Sequence, residues 1–228
     1  MKYFTAIAAM AAILFVGLGA PTGQAGETGR FLTRYGGASS PNGFSGVCSA
    51  YGWACSASAS GTVADSGAMM SAASSVNSHV NGSIRTVSDM AQYGRAERWV
   101  LPTTGMGDCE DFALMKAKLL IERGVPARRL RMALVMARHL SEPHIVLVMR
   151  TADGDYVLDS LRSGIRRWDR TGYTFVKMQN ERNKARWDAV LLGPNATRTT
   201  ASRIADNAPP AAPAANRPRA SAHVTQGR

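Results

Sequence analysis

One cysteine stands in a setting that could make it a nucleophile. Cys109 follows a glycine-rich turn at residues 105–107 and opens a segment with the pattern of a helix. The first turn of a helix offers unpaired N–H groups and partial positive charge, which favour the thiolate form of a cysteine. His144 and Asp159 follow in the chain, and they are the residue types that take up a proton and orient the base. These three residues predict a cysteine hydrolase.

Two alternatives to this triad remain open in the sequence. His139 precedes His144 in a polar stretch, which predicts an exposed loop rather than a base. Asp155 could replace Asp159, because a tight two-residue turn at 153–154 would not place Asp159 opposite His144. Pairing of His144 with Asp159 therefore requires a longer turn, a bulge or a diagonal contact between the strands.

The acids around the cysteine oppose its ionisation. Asp108, Glu110 and Asp111 flank Cys109, and like charge disfavours a thiolate. A bound Ca²⁺ would compensate, since carboxylates suit that ion, but the residues by themselves favour a simpler role for Glu110 and Asp111 as complements to the helix dipole. The backbone N–H of Cys109 is a candidate oxyanion donor, and Trp99 is our candidate for the second donor.

The elements that must position these residues follow from periodicity. A helix is predicted from Cys109 to just before Gly124, with Asp108 as its N-cap, and an earlier helix over residues 67–87. Alternating or apolar runs predict strands at residues 132–136, 144–149, 156–159, 173–178 and 187–192. Helices followed by an antiparallel sheet define an α+β domain.

Composition divides the 228 residues into four parts. Residues 1–25 resemble a secretory signal peptide, with an apolar run and small residues before a predicted cleavage site. Residues 26–65 are a Gly/Ser-rich segment without clear periodicity, and we expect a loop there. The domain is predicted over residues 66–193. Residues 194–228 are rich in Ala, Pro and Arg, and this composition is typical of disordered tails.

Export to the periplasm or beyond affects how the cysteines are interpreted. Cys48 and Cys55 could pair in an oxidising compartment, which leaves Cys109 unpaired, but three reduced cysteines remain an alternative. The net charge of +11 is partly due to five arginines in the tail. No basic run alternates with aromatic residues, so we predict no nucleic-acid binding.

The motifs together resemble a known family, the bacterial transglutaminase-like cysteine proteinases. The matching residues run from Val76 to Trp187 and comprise Asn77, Asn81, Asp89, Tyr93-Gly94, Trp99, Pro102, Gly107-Asp108-Cys109-Glu110-Asp111-Phe112-Ala113, Lys116, Gly124-Val125-Pro126, His144, Leu158-Asp159, Trp168 and Tyr173. The resemblance implies a papain-like fold in which Cys109, His144 and Asp159 form the triad.

The resemblance also implies a biological setting. The best understood branch of the family is periplasmic, depends on calcium and cleaves large surface adhesins under the control of an inner-membrane cyclic-di-GMP receptor. Asp108 and Glu110 match the calcium-binding acids of that branch. By resemblance we therefore expect a calcium-dependent, exported protease with a protein substrate.

Two other functions are compatible with the same residues. An acyl transferase or a cell-wall peptide amidase would use the same triad on a different acceptor or substrate. A non-catalytic binding module would retain the triad without using it.

Overall fold

The structure is a computed structural model that describes residues 29–194 and residue 196. The predicted signal peptide and nearly all of the predicted tail lie outside the described residues. The predicted α+β fold is confirmed, because helices pack on an antiparallel sheet. Within the described ranges, we find no helix with the length and apolar character needed to cross a membrane.

The described residues form four α-helices of very different length. These are α1 (Val47–Ala50), α2 (Ser66–Ser83), α3 (Asp89–Tyr93) and α4 (Cys109–Glu122). The two long helices, α2 and α4, pack against each other, and α4 also packs on the sheet.

Helix α4 has the limits that the sequence predicted. Asp108 occupies the N-cap position, although its side chain makes no cap hydrogen bond. At the other end, Gly124 adopts a left-handed φ of 88°, which favours glycine. The N–H of Gly124 donates to Ile121 O and the N–H of Val125 donates to Leu120 O, the bonding pattern of a Schellman motif.

Helix α2 ends earlier than predicted. The chain leaves the helix after Ser83 and forms strand β2 (Arg85–Thr86), which pairs in parallel with β3 (Met106–Gly107). The N–H of Arg85 donates to the carbonyl of Gly105 at 2.9 Å. The predicted extension of this helix to residue 87 was wrong, because the backbone after Ser83 pairs with strand β3, which is distant in sequence.

The main sheet has seven strands, and every neighbouring pair is antiparallel. The strands not yet named are β1 (Gly36–Ala38), β4 (Leu130–Met136), β5 (His144–Arg150), β6 (Asp155–Leu158), β7 (Arg166–Arg167), β8 (Thr174–Gln179) and β9 (Trp187–Leu192). Their order across the sheet is β1-β9-β8-β4-β5-β6-β7, so β5 lies well inside it.

Apolar residues cover both faces of the sheet. In β5, Ile145 and Leu147 face the helices, whereas Val146 and Val148 face a second cluster that contains Trp168. Alternation of side chains along a strand explains this division. Because both faces are buried, β5 is apolar along most of its length, as expected for a central strand.

The segment at residues 29–65 is more structured than the predicted loop. Strand β1 pairs with β9, and the side chains of Phe44 and Val47 are buried in the same core as α4. Cys48 and Cys55 form a disulfide, the first of the two alternatives that the sequence left open, and Cys109 is the free cysteine of the described residues. This segment is therefore built into the domain.

Candidate active site

Cys109 begins helix α4 at a point where the backbone of strand β5 comes close. The N–H of Ile145 donates to Cys109 Sγ at 3.4 Å, so the thiol contacts the residue that follows His144. Gly107 leaves room for the side chain of Asp111, because a Cβ there would lie 2.6 Å from its carboxylate. The glycine before the cysteine is thus required by the packing of the helix's own first turn.

The surroundings of the Cys109 thiol favour its protonated form. It donates to the carboxylate of Glu110 at 3.3 Å. Burial and the negative charge of Glu110 raise the pKa of the Cys109 thiol, despite the hydrogen bond from Ile145. The opposition between acids and thiolate that the sequence indicated is therefore present in the folded protein.

His144 and Asp159 form a direct hydrogen bond. The distance from His144 Nε2 to Asp159 Oδ1 is 2.8 Å, and both side chains are buried. Arg150 pairs with Asp155, so residues 151–154 form a four-residue connection, and continuing this register places Asp159 beside Val146. The hydrogen bond between His144 and Asp159 is therefore diagonal across the two strands. Two of the possibilities that the sequence left open, a longer turn and a diagonal contact, together bring these residues into contact.

Asp159 is held as an anion by several donors. Its oxygens accept hydrogen bonds from the Tyr173 hydroxyl at 2.6 Å and from the Leu161 N–H at 2.9 Å. Burial opposes ionisation, but the hydrogen bonds from His144, Tyr173 and Leu161 outweigh it and lower the pKa of Asp159. This environment fixes the carboxylate that faces the imidazole.

Two asparagines of helix α2 fasten the loop that follows Asp159. Asn81 Nδ2 donates to the carbonyl of Asp159 at 2.9 Å, and Asn77 Nδ2 donates to the carbonyl of Ser163 at 2.9 Å. Both amides also donate to the carbonyl of Arg162. Asn77 and Asn81 thus hold the backbone of the loop that carries Asp159. Two polar residues four positions apart on an otherwise apolar helix face are the signal that could have revealed them.

The alternative base and acid have other surroundings. His139 is exposed and stacks on Tyr173 with ring centroids 6.3 Å apart. Asp155 is fully buried and accepts hydrogen bonds from Arg150 at 2.7 and 2.8 Å, with Arg131 at 3.5 Å. We call Asp155, Arg131 and Arg150 the Asp155 cluster. The carboxylate of Asp155 binds these two arginines rather than His144.

The structure does not support Trp99 as an oxyanion donor. Its indole N–H donates to the carbonyl of Asn42 at 3.0 Å, and its ring is buried between Phe44 and Trp187. Trp99 is therefore a core residue, and that prediction was wrong.

Three carboxylates converge beside the cysteine. Asp89, Asp108 and Asp111 each offer an oxygen, and these oxygens lie within 4.8 Å of one another. We call them the acidic cluster. Helix α3 brings Asp89 to α4, where the Asp89 N–H donates to the Asp108 carboxylate at 3.0 Å. Ser88 caps α3 by accepting a hydrogen bond from the Ala91 N–H.

The acidic cluster has the properties of a site for a hard cation. Asp89 Oδ1, Asp108 Oδ1, Asp111 Oδ2 and Glu110 Oε1 are buried and have no hydrogen-bond partner among the described residues. Burial and the charge of Asp108 raise the pKa of Glu110 to about 9, and the same causes raise the pKa of Asp111 to about 8. Carboxylate oxygens gathered in this way suit Ca²⁺.

The predicted calcium ligands fall in and beside this cluster. Asp108 belongs to it, and Glu110 adjoins it. Asp89 and Asp111 were not predicted as ligands, because only folding places α3 against the first turn of α4. Asp111 also accepts a hydrogen bond from the Val100 N–H at 2.8 Å, which fixes one of its oxygens.

The fold and the family place the chain in one class, the transglutaminase-like cysteine peptidases. A model of the family described as bacterial transglutaminase-like cysteine proteinase BTLCP matches residues 34–193. The chain therefore belongs to this family, and the match begins well before residue 76, where the motifs begin. The comparison with curated proteins found no match.

Solved structures of LapG from Legionella pneumophila are also similar. Calcium-bound LapG shares 25% identity at a TM-score of 0.45, covering 58% of this chain and 78% of LapG. EGTA-treated LapG shares 29% identity at a TM-score of 0.43, covering 49% of this chain and 63% of LapG. A third LapG structure has a TM-score of 0.41 and the same identity. The scores fall short of one half, and the family assignment rests on the sequence match.

Proposed function

We propose that the protein is an exported, calcium-dependent cysteine endopeptidase in which Cys109, His144 and Asp159 act together. The hydrogen bond of 2.8 Å between His144 Nε2 and Asp159 carries the proposal. It engages one ring nitrogen and leaves Nδ1 as the nitrogen that can exchange a proton with the thiol.

The proposed reaction uses each of these three residues. His144 Nδ1 takes the proton of Cys109, and the thiolate attacks the peptide carbonyl carbon to form a C–S bond. The N–H of Cys109, at the helix N-terminus, stabilises the oxyanion. His144 then gives its proton to the leaving amine as the C–N bond breaks. His144 then deprotonates a water molecule, which attacks the acyl carbon; the C–S bond breaks, and the proton on His144 returns to the sulfur and restores the thiol.

Calcium dependence is supported by the acidic cluster. A bound Ca²⁺ supplies positive charge that compensates the carboxylates near Cys109. Asp89, Asp108 and Asp111, with Glu110 beside them, are the residues that would hold it. Their unpaired oxygens fit that role, because a buried carboxylate oxygen without a partner is costly.

Substrate and location are proposed on other grounds. The disulfide between Cys48 and Cys55 supports an oxidising compartment. The family resemblance suggests a surface adhesin or another envelope protein as the substrate, and a cyclic-di-GMP receptor of the inner membrane as the regulator.

Substitution of the triad tests the activity. The host's exported proteins are incubated with wild-type protein and with Cys109→Ala, and new N-termini are mapped by mass spectrometry. We expect cleavages that disappear in Cys109→Ala and in His144→Ala, while circular dichroism shows an intact fold.

His139→Ala is the matched control, because His139 is exposed and outside the triad. We expect it to retain activity near the wild-type level. Equal losses in His139→Ala and His144→Ala would overturn the assignment of the base. Products cross-linked to an added amine, in place of cleaved ones, would show an acyl transferase.

A further inference from the structure

Residues 98–101 lie between helices α3 and α4 and form neither helix nor strand. We call them the 98–101 connection, and its backbone donates to two acids of the acidic cluster. The N–H of Arg98 donates to Asp89 Oδ2, and the N–H of Val100 donates to Asp111 Oδ1 at 2.8 Å. The oxygens without a hydrogen-bond partner among the described residues are Asp89 Oδ1 and Asp111 Oδ2. The connection therefore fixes one oxygen of each acid and leaves the other available to a cation.

The same connection is also held by the N-terminal part of the domain. The N–H of Leu101 donates to the Tyr51 hydroxyl at 3.1 Å. The indole N–H of Trp99 donates to the carbonyl of Asn42 at 3.0 Å, and the Trp99 ring is buried in the core. The 98–101 connection therefore links the N-terminal segment to the acidic cluster through hydrogen bonds along one short stretch of backbone.

The disulfide restrains the residue that supplies this hydroxyl. Tyr51 follows helix α1 and lies between the two bridged cysteines, Cys48 and Cys55. The N–H of Tyr51 donates to Val47 O at 2.7 Å, and the carbonyl of Tyr51 accepts from the Ala54 N–H at 2.8 Å. A cross-link between the ends of so short a loop removes conformations that the chain could otherwise adopt. The bridge therefore limits where the Tyr51 side chain can lie.

We propose that Tyr51 is a positioning residue of the calcium site and that the disulfide holds Tyr51 in place. The proposal rests on the calcium site proposed above. The Tyr51 hydroxyl fixes the backbone at Leu101, and the N–H groups just before it fix one oxygen each of Asp89 and Asp111. This arrangement keeps the acids of the cluster close, with one oxygen of each within 4.8 Å of the others. Residues that orient metal ligands without touching the metal change its affinity by roughly tenfold to a hundredfold.

Thr151 offers a matched control for the loss of a hydroxyl. Its Oγ1 accepts a hydrogen bond from the Asp153 N–H at 3.0 Å, just as the Tyr51 hydroxyl accepts one from a backbone N–H. Thr151 follows the end of strand β5, whereas the acidic cluster lies near its start, and the seven residues of the strand span about 20 Å. Thr151→Val therefore removes the same kind of hydrogen bond far from the acidic cluster.

The test measures calcium affinity rather than turnover. A Cys109→Ala parent excludes both peptide cleavage and new disulfides with Cys109, and calorimetric titration with calcium at neutral pH gives Kd. We expect Tyr51→Phe to raise Kd by about tenfold, because the Leu101 N–H loses its acceptor, and Thr151→Val to leave Kd near that of the parent. Replacing both bridged cysteines with serine should also raise Kd. Dithiothreitol, which reduces the bridge to two thiols and is itself oxidised to a disulfide, should raise Kd in the parent but not in the serine variant.

The outcomes separate positioning from general stability. Hydrogen exchange in EGTA should show faster exchange of the Val100 amide in Tyr51→Phe than in the parent, and no change in Thr151→Val. An unchanged Kd in folded Tyr51→Phe or in the serine variant, or equal increases in Tyr51→Phe and Thr151→Val, would overturn the proposal. If Tyr51→Phe does not fold, reduction of the bridge in the parent decides. A parent that binds no calcium would refute the calcium site itself, whereas equal binding by parent and variants would refute only the role of Tyr51 and the disulfide.

Discussion

Two groups of buried acids in this protein are treated in opposite ways. In the Asp155 cluster, Asp155 receives hydrogen bonds from two arginines and from the N–H of Leu32 at 2.8 Å. In the acidic cluster, Asp89, Asp108 and Asp111 face one another, and each keeps a buried oxygen without a partner. In the first group the buried charge is compensated within the protein, whereas in the second it is left for the calcium ion that we propose.

The largest expected effect on stability comes from removing the acid of the Asp155 cluster. Asp155→Ala leaves Arg131 and Arg150 without their common acid, and loss of one partner of a buried ion pair costs about 3–5 kcal/mol. Urea denaturation measures the free energy of unfolding. The loss should be equal with calcium and with EGTA, and a calcium-dependent loss would remove the contrast between the two clusters.

The acidic cluster should make the stability of the protein depend on calcium. At a free calcium concentration one hundred times Kd, a ligand that binds only the folded protein adds about 2.7 kcal/mol to stability. We expect calcium to raise Tm of the wild-type protein and of Asp155→Ala. Asp111→Asn should show little of this increase, and an increase equal to the wild type would exclude Asp111 from the calcium site.

The pH dependence of stability should differ between the calcium-free and calcium-bound protein. Burial and Asp108 raise the folded-state pKa of Glu110 to about 9 and of Asp111 to about 8, above their ordinary values near 4. At these two positions the folded protein binds more protons than the unfolded chain, so the stability that the two acids contribute is greatest below about pH 4 and falls as pH rises towards 8 or 9. The expected slope is on the order of 1 kcal/mol per pH unit.

Denaturation in EGTA between pH 5 and pH 9 measures that slope. Calcium should flatten it, because the bound ion favours ionised carboxylates. A stability that rises with pH in EGTA would contradict the assigned charges of the acidic cluster.

The smallest expected effect lies at the rim of the Asp155 cluster. Arg150 also contacts Glu181 at 3.4 Å, but the Glu181 side chain is 56% exposed. Glu181→Gln should therefore cost less than about 1 kcal/mol. A loss comparable to that of Asp155→Ala, measured by the same urea titration, would show that exposure does not distinguish the two contacts.

Local signals in the sequence were sufficient for some elements. Helix α4 begins at Cys109 and ends before Gly124, and both limits were predicted from signals within a few residues of the chain, an acidic first turn and a glycine stop. The strand of His144 was also recognisable from its apolar run. The triad residues were proposed from residue type and order, and the diagonal contact between His144 and Asp159 had been one of the open possibilities.

Other features depend on partners that are distant in sequence. Strand β1 has no side-chain pattern of its own and exists because β9 pairs with it. Helix α2 stops at Ser83 because the residues that follow it pair with strand β3. Asp89 joins Asp111 only because helix α3 lies against the first turn of α4.

The short parallel pairing of β2 with β3 has a consequence for how this enzyme class can diversify. It brings residues 85–86 beside residues 106–107, so the chain between them departs from and returns to one place on the scaffold. Closure entropy grows slowly with loop length, so the exposed part of this excursion, residues 94–97, can be lengthened or exchanged at small thermodynamic cost. A chimaera that replaces residues 94–97 with those of a relative would alter the surface that follows helix α3, while Asp89, Trp99 and the seven-stranded framework stay in place.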